Sequence, residues 1–257
     1  MCFIFPTVGP KMNHRDSVPR HTAADYTICL AGNPNTGKST VFNALTGLKQ
    51  HTGNWPGTTV SQTRGLYQYA GKNLALIDLP GTYSMLPNSP EEKIARDFIC
   101  FGRPDVVVVV VDAACLERNL NLVLQVLEIT PKVVVCLNLI DEAKRRGFSI
   151  DVRRLASELK VPVVPTAANR GSGLDCLKKH IWNSASKKIE AWPNLVQYPE
   201  VLECSLQQLE VELTRISLNG LSKRWVALRL LEDDKAALTL IKHYSTLSTG
   251  RWVCNEG

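Results

Sequence analysis

The sequence has no apolar run long enough to cross a membrane. Its longest unbroken aliphatic stretch is Val106–Val111, closed by Asp105 and Asp112, whereas a transmembrane helix needs about 20 apolar residues. It also has no internal repeat and no low-complexity tract. Because 44% of its 257 residues are hydrophobic, the chain is not a disordered tail, and we expect one large or two smaller folded domains.

Cysteine and histidine pairs at metal-ligand spacing are also missing. The chain has eight cysteines and five histidines, but no CxxC pair and no Cys/His cluster. Four cysteines lie among apolar residues, where a free thiol behaves as a small hydrophobe: Cys100, Cys115, Cys136 and Cys176. We therefore expect reduced thiols, a cytosolic chain and no resident iron site.

The excess of basic residues is small. Lys and Arg number 30 and Asp and Glu 24, so the formal net charge is +6. This charge suits a phosphorylated ligand or an anionic membrane surface and does not require nucleic acid. The chain has neither a strongly basic patch nor a KH-type GXXG loop, and nucleic acid is not an expected partner.

Between Tyr26 and Trp182, short β-branched runs alternate with helical stretches. Two runs, Thr63–Tyr69 and Leu74–Asp78, flank a Gly-Lys-Asn turn and predict an antiparallel hairpin. Three others are apolar throughout, as strands buried on both faces of a parallel sheet are: Val106–Val111, Val133–Leu137 and Val161–Val164. The pattern predicts an α/β fold with a mostly parallel sheet and crossover helices.

Capping signals and a change in composition define the helices. Ser89 followed by Pro90 predicts a helix N-terminus, with Glu92 as the capping-box partner. Residues 183–200 are polar and contain two prolines, which predicts a linker. Helical spacing then recurs in three segments: Val201–Leu218, Leu221–Leu231 and Lys235–Tyr244.

A phosphate-binding sequence follows the apolar run Tyr26–Ala31. Residues 32–39 match GxxxxGK[ST] and lead into a predicted helix, so that backbone N–H groups and the helix N-terminus can face an anion. Lys38 can reach the β- and γ-phosphates, and the Ser39 hydroxyl suits Mg²⁺. The expected nucleotide-binding residues here are Gly32, Asn33, Pro34, Asn35, Thr36, Gly37, Lys38, Ser39 and Thr40.

A second short sequence, DxxG, ends the predicted strand Leu74–Asp78. Its residues are Asp78, Leu79, Pro80 and Gly81. Asp78 can hold the Mg²⁺ shell, and the N–H of Gly81 can contact a γ-phosphate. In isolation this sequence is weak evidence, since a strand-end Asp before Pro-Gly is usually a turn; downstream of the phosphate loop it supports nucleotide binding.

Base selectivity is predicted from Asn138, Leu139 and Asp141, which fit NxxD after the strand Val133–Leu137. A carboxylate at Asp141 can accept hydrogen bonds from guanine N1–H and N2–H, whereas adenine would leave it buried and unpaired. The alternative is an Asn that helps to cap a helix with Asp141 in its first turn. Small residues after the next strand would let a backbone N–H approach guanine O6: Thr166, Ala167 and Ala168.

Together these segments identify the chain as similar to Ras-like P-loop GTPases of the translation-factor-related class. More narrowly, from Tyr26 to Tyr244 it resembles the cytosolic amino-terminal region of the bacterial ferrous-iron transport protein B family, FeoB. The resemblance rests on Gly32–Ser39 (GNPNTGKS), Gly53–Val60 (GNWPGTTV), Asp78–Ser84 (DLPGTYS), Asn138–Gly147 (NLIDEAKRRG) and Leu221–Leu231 (LSKRWVALRLL).

The resemblance assigns further residues. It implies that Thr59 is the switch I threonine that binds Mg²⁺, with Thr58 as the neighbouring alternative, and that Gly57 lies at the nucleotide. It implies that Asn35 coordinates K⁺ as an activator; the alternative is that Asn35 only stabilises its loop. Trp55 is either a switch sensor or an aromatic side chain folded over the switch.

The resemblance also implies the function. We expect a GTP-binding and GTP-hydrolysing switch domain of a ferrous-iron transporter at the cytoplasmic face of the bacterial inner membrane, with Lys38, Asn35 and Gly81 as catalytic residues. Its partners would be GTP, GDP and the transmembrane permease region of the same polypeptide; homo-oligomer formation stays open. Turnover should be slow, since Thr82 stands where Ras-type enzymes carry a water-positioning Gln.

We expect three parts of the chain: a flexible N-terminal arm over 1–25, a GTP-binding domain over 26–183, and a dissociation-inhibitor-like helical domain over 184–250. The alternative function is a stand-alone GTPase of ribosome assembly or RNA modification, which would share every nucleotide-binding segment but should carry an RNA-binding appendage. An ATP-using kinase is disfavoured by Asp141.

Overall fold

The computed structural model describes residues 24–47, 50–55, 58–86, 89–187, 193, 195–218 and 220–246. The predicted N-terminal arm, apart from residues 24 and 25, lies outside these ranges, as does Gly57. Residues 188–192 and 194 of the predicted linker also lie outside them.

Seven strands form one sheet in the order β2-β3-β4-β1-β5-β6-β7. Neighbouring strands are parallel except at β3, which runs antiparallel to both β2 and β4. The strands are β1 Tyr26–Gly32, β2 Gln50–Asn54, β3 Ser61–Tyr69, β4 Lys72–Asp78, β5 Val106–Asp112, β6 Val133–Asn138 and β7 Val163–Pro165. The predicted hairpin and the mostly parallel sheet are both confirmed.

Nine described helices surround and follow the sheet. They are α1 Lys38–Thr46, α2 Pro90–Phe101, α3 Leu116–Ile129, α4 Ile140–Arg145, α5 Val152–Leu159, α6 Leu174–Ser186, α7 Glu200–Leu213, α8 Lys223–Leu231 and α9 Lys235–Thr246. The predicted start of α2 is confirmed, because the Ser89 side chain accepts a hydrogen bond from the N–H of Glu92 and Pro90 is the first helical residue. No helix in the described part of the chain is long and apolar enough to span a membrane.

The core lies on both faces of the sheet because alternate residues of a strand point to opposite sides. In β5, Val107, Val109 and Val111 pack with α2 and α3, whereas Val106 and Val108 pack with α1 and α6. These valines are all at most 1% exposed, which explains why the strand is apolar throughout.

Several predicted boundaries differ from the structure. Helix α7 ends at Leu213 rather than Leu218, and α8 begins at Lys223 rather than Leu221. Strand β7 begins at Val163 rather than Val161, since the intervening Pro162 has no N–H to donate to the sheet. Helix α6 continues to Ser186, into the segment predicted as a linker, and buries Ala185 against the sheet.

Helices α7 to α9 form a small helical unit that packs against α2 and α3. Trp225 of α8 is 2% exposed and its ring lies 6.4 Å from that of Phe101 at the end of α2. Ahead of α7, the Tyr198 hydroxyl donates a hydrogen bond of 2.7 Å to Glu128 of α3. The unit is therefore joined to the sheet domain by apolar packing and by polar contacts.

Candidate functional site

The loop after β1 is shaped to surround an anion. Gly37 and Asn35 both have left-handed backbone angles, with φ of 78° and 66°, and the Thr36 hydroxyl donates to the carbonyl of Asn33 across the loop. A Cβ on Gly37 would lie 2.5 Å from Nδ2 of Asn138, so only glycine fits. The loop ends at the N-terminus of α1, where backbone N–H groups favour negative charge.

Lys38 of the phosphate loop and Asp78 at the end of β4 form an ion pair. Asp78 ends β4 beside Leu30 of β1, which brings the two segments together. Burial raises the pKa of Asp78, and the neighbouring Lys38 opposes that rise. The pair lines a cleft of about 400 Å³ together with Pro80 and Glu91; Ser39 is exposed at the start of α1.

The loop after β4 runs directly along the phosphate loop. The N–H of Thr82 donates to the carbonyl of Gly32 over 3.1 Å, and a Cβ on Gly81 would lie 3.2 Å from Cγ of Pro34. Leu79 is buried and its N–H donates to Leu30. The Thr82 side chain is fully buried and its hydroxyl donates to the carbonyl of Ser84, so it is engaged inside the loop.

The two candidate switch threonines differ in their hydrogen bonds. Both are exposed, and both line a second cleft of about 820 Å³ that shares Glu91 with the first. The Thr58 hydroxyl donates to the carbonyl of Trp55 and accepts from the N–H of Val60. Trp55 is 7% exposed and packs edge-on against Phe98 of α2 at 5.3 Å, as expected for an aromatic folded over the switch.

Asn138 joins three segments that are distant in sequence. Its Nδ2 donates to the carbonyl of Thr36 in the phosphate loop over 3.0 Å. Its Oδ1 accepts from the Thr166 hydroxyl and from the N–H of Ala168, each over 3.1 Å. The N-cap of α4 is Leu139, in a left-handed conformation, so Asn138 does not cap this helix. Its three described hydrogen bonds instead link the phosphate loop to the loop after β7, and we call this set of contacts the Asn138 bracket.

Asp141 presents a carboxylate beside this bracket. It lies in the first turn of α4, and both of its oxygens are buried without a hydrogen bond. The Nε atom of Arg170 lies 3.0 Å from Oδ2 as an ion pair. A buried acceptor without a hydrogen bond is costly, and this one suits a ligand edge that carries two N–H donors.

The loop after β7 differs from the sequence-based expectation in one respect. The N–H of Ala167 donates to Ser172 and that of Ala168 donates to Asn138, so neither is available for guanine O6. The next N–H, of Asn169, has no acceptor among the described residues. Thr166 anchors the loop, because its N–H donates to Leu137 and its carbonyl accepts from Ile140.

The structure therefore brings the phosphate loop, the strand-end Asp78, and the Asn138 and Asp141 side chains to one end of the sheet. Sequence reasoning missed Glu91, Asn169 and Arg170. No motif or residue spacing in the sequence predicts the contact between Arg170 and Asp141. Among the described residues, no three His, Cys, Asp or Glu side chains are grouped to hold a metal ion.

Two family models match the chain. Residues 26–181 match ferrous iron transport protein B, and residues 198–250 match the FeoB cytosolic helical domain. Among curated proteins, the Fe(2+) transporter FeoB of Salmonella typhimurium is 39% identical over 217 residues, which cover 81% of this chain and 27% of that protein. The chain thus spans about a quarter of the length of the curated relatives it matches.

Solved structures agree in fold with most of the chain. The cytosolic domain of the T. maritima FeoB iron transporter in a GDP form is 38% identical, with a TM-score of 0.79, and the alignment covers 90% of this chain and 88% of that one. The GMPPNP form of the same domain is 37% identical, with a TM-score of 0.78 over 89% and 88% of the two chains. The chain belongs to the ferrous iron transport protein B family.

Proposed function

We propose that this chain binds GTP and GDP and hydrolyses GTP. The observation that carries the proposal is the Asp141 carboxylate at the end of the sheet where the phosphate loop lies. Its two buried oxygens accept no hydrogen bond, and one of them faces the exposed Arg170 side chain as an ion pair. Guanine N1–H and N2–H match these two acceptors, and adenine does not. The GDP and GMPPNP forms of the T. maritima relative support the same ligand class.

Three groups around the base site would position the guanine ring. Asn138 fixes the loop after β7 against the phosphate loop. The N–H of Asn169, rather than those of Ala167 and Ala168, would then donate to guanine O6, because the latter two are engaged within the protein. The aliphatic side chain of Leu139 would pack near the base.

The phosphates would lie in the loop 32–39 against the N-terminus of α1. Lys38 would exchange its partner Asp78 for the β- and γ-phosphates, and the N–H of Gly81 would contact the γ-phosphate. Catalysis of this kind depends on positioning and charge stabilisation. We expect slow intrinsic turnover, because the buried Thr82 hydroxyl is bonded within its own loop and offers no water-positioning amide.

The oxygen donors at the cleft suit Mg²⁺, which prefers hydroxyl, carboxylate and phosphate ligands. Ser39 and Asp78 would hold the ion, and Thr59 would join them when a triphosphate is bound. The internal hydrogen bonds of Thr58, whose hydroxyl is engaged with Trp55 and Val60, support this choice of threonine. When bound, Mg²⁺ would neutralise phosphate charge, and K⁺ held by Asn35 would do the same.

At the level of the whole protein, we propose a cytosolic nucleotide switch for a ferrous-iron transporter. The domain of residues 26–183 would bind GTP, and the helical domain of residues 184–250 would relay its state to a permease region of the same polypeptide, at the cytoplasmic face of the inner membrane. The named relatives are Fe(2+) transporters, which does not favour a stand-alone GTPase of ribosome assembly or RNA modification.

Calorimetric titration with GDP, GMPPNP and ADP in Mg²⁺ tests the ligand class. We expect both guanine nucleotides to bind and ADP to bind about 5- to 150-fold more weakly, since a buried carboxylate that lacks its hydrogen-bond donors costs about 1–3 kcal/mol. Equal binding of ADP would overturn guanine selectivity. The release of phosphate from GTP, measured in the same buffer, tests hydrolysis.

A further inference from the structure

The Asp141 carboxylate has a positively charged neighbour that the proposed guanine site does not need. Nε of Arg170 lies 3.0 Å from Oδ2 of Asp141. The Arg170 side chain is 63% exposed, whereas that of Asp141 is 16% exposed. Asp141 is therefore the mostly buried member of the pair, and Arg170 is the exposed one.

The backbone around Arg170 is held by several hydrogen bonds. Ala167 and Ser172 pair through two backbone hydrogen bonds of 3.1 and 3.2 Å, and the N–H of Arg170 donates to the carbonyl of Ala167 over 2.9 Å. The Ala168 N–H is in turn fixed to Asn138. These contacts hold the loop in the position from which the Arg170 side chain reaches Asp141.

Guanine and a guanidinium group use the same hydrogen-bonding pattern toward a carboxylate. The base edge donates from N1–H and N2–H, and a guanidinium likewise donates from a planar pair of N–H groups. Both oxygens of Asp141 are needed by the base, and one of them faces Arg170. We propose that Arg170 competes with the guanine base for Asp141, and thereby weakens nucleotide binding and speeds nucleotide release.

This inference rests on the proposed guanine site and adds a specificity-site residue that regulates it. Arg170 is a positioning residue in this scheme, since it acts on the ligand through Asp141. The competing pair is ionic and its Arg170 side is exposed to solvent, so its strength is modest and falls as salt rises. Removal of Arg170 should then strengthen GDP binding rather than weaken it.

The first experiment compares GDP binding and release by the wild type with Arg170→Ala and Arg170→Gln. We expect both variants to bind GDP about two- to fivefold more tightly and to release it correspondingly more slowly, as loss of an exposed ion pair implies. The difference from wild type should shrink between low and high salt. Arg215→Ala removes an exposed arginine that pairs with Glu212 on α7, and should change neither quantity.

A second experiment isolates Asp141. In an Asp141→Asn background the side-chain amide can donate to the C2 carbonyl of xanthine, so the probe is xanthosine diphosphate. Because Asn carries no charge, adding Arg170→Ala to the Asp141→Asn variant should leave the affinity for xanthosine diphosphate unchanged. A gain that persists in this background would overturn the competition.

The outcomes separate this inference from the function on which it rests. A folded wild type that does not bind GDP overturns the guanine site itself. A wild type that binds GDP, with Arg170 variants that bind it equally or more weakly, overturns only the role of Arg170. Thermal unfolding of each variant distinguishes a change in the site from loss of fold.

Discussion

Arg96 of α2 and Asp234, at the corner between α8 and α9, join the sheet domain to the helical unit across 138 positions of sequence. Arg96 is fully buried, and its Nη1 lies 3.5 Å from Oδ2 of Asp234. The other oxygen of Asp234 accepts a hydrogen bond from the N–H of Ala237 in the first turn of α9. One carboxylate therefore caps a helix and faces a buried charge on the helix that follows the Gly81 loop.

Loss of charge at Asp234 should destabilise the fold. Asp234→Asn keeps a capping oxygen but removes the negative charge from Arg96, and we expect a loss of roughly 1–3 kcal/mol in the free energy of unfolding, since a buried ion then lacks part of its compensation. Asp97 still pairs with Arg96 at 2.8 Å, which limits the loss. Urea denaturation measures it.

The matched control for this change is the exposed pair Arg215 and Glu212. Glu212→Gln should alter unfolding by a few tenths of a kcal/mol, as exposed pairs do. A double-mutant cycle of Asp234→Asn with Arg96→Met then isolates the contact between the two domains. A coupling energy of zero would show that the contact between Arg96 and Asp234 does not help to hold the helical unit.

Guanine selectivity should depend on Asp141. Asp141→Asn replaces an acceptor with a donor opposite guanine N1–H and N2–H, and GTP affinity should fall by about one to several kcal/mol. Calorimetry with GTP and GDP measures the loss, and circular dichroism checks the fold. Unchanged GTP binding by a folded variant would place the base elsewhere.

Asn138 should matter for stability and for nucleotide binding together. Asn138→Ala removes three hydrogen bonds that join the phosphate loop to the loop after β7, and leaves the buried carbonyl of Thr36 without this partner. We expect roughly 2–4 kcal/mol less stability and a clear fall in GDP affinity. Denaturation and calorimetry measure the two effects.

Asn119 offers a matched control for Asn138. It is also buried, at 4% exposure against 1% for Asn138. Its hydrogen bonds, however, are to Cys115 and Asp112 between β5 and α3. Asn119→Ala should therefore lower stability and leave the GDP affinity of the folded protein nearly unchanged. If both variants lost GDP affinity alike, the bracket role of Asn138 would be wrong.

Local signals in the sequence predicted most of the fold. The apolar run of β5, the hairpin of β3 and β4, and the Ser89 cap of α2 each follow from short-range chemistry. Contacts between distant segments could not be predicted in the same way. The approach of Arg170 to Asp141 depends on how two loops pack, and the use of the Ala168 N–H by Asn138 depends on an interaction 30 positions away.

Substitutions of the two candidate switch threonines should differ in their effects on GMPPNP and GDP binding. Thr59→Ala should weaken binding of GMPPNP about tenfold more than binding of GDP, since only the triphosphate would draw Thr59 to Mg²⁺. Thr58→Ala, which removes hydrogen bonds to Trp55 and Val60, should affect both nucleotides alike. Calorimetry with each nucleotide in Mg²⁺ measures the difference, and the reverse pattern would assign the metal to Thr58.

Hydrolysis should respond to the monovalent cation through Asn35. This exposed side chain lies in the phosphate loop, and K⁺ held there would offset negative charge that develops on the phosphates in the transition state. We expect GTP hydrolysis to be faster in K⁺ than in Na⁺ at equal ionic strength, and the difference to disappear in Asn35→Ala. Phosphate release measures both rates.

The backbone of Asn35 requires a second variant. Its φ of 66° is left-handed, so that Asn35→Ala adds strain of about 1 kcal/mol that could slow hydrolysis by itself. Asn35→Gly removes the same side chain without that strain, and it too should lose the K⁺ stimulation. Equal rates in K⁺ and Na⁺ for a folded, GTP-binding wild type would restrict Asn35 to a structural role, and the group that assists hydrolysis would then lie in switch I or in a partner protein.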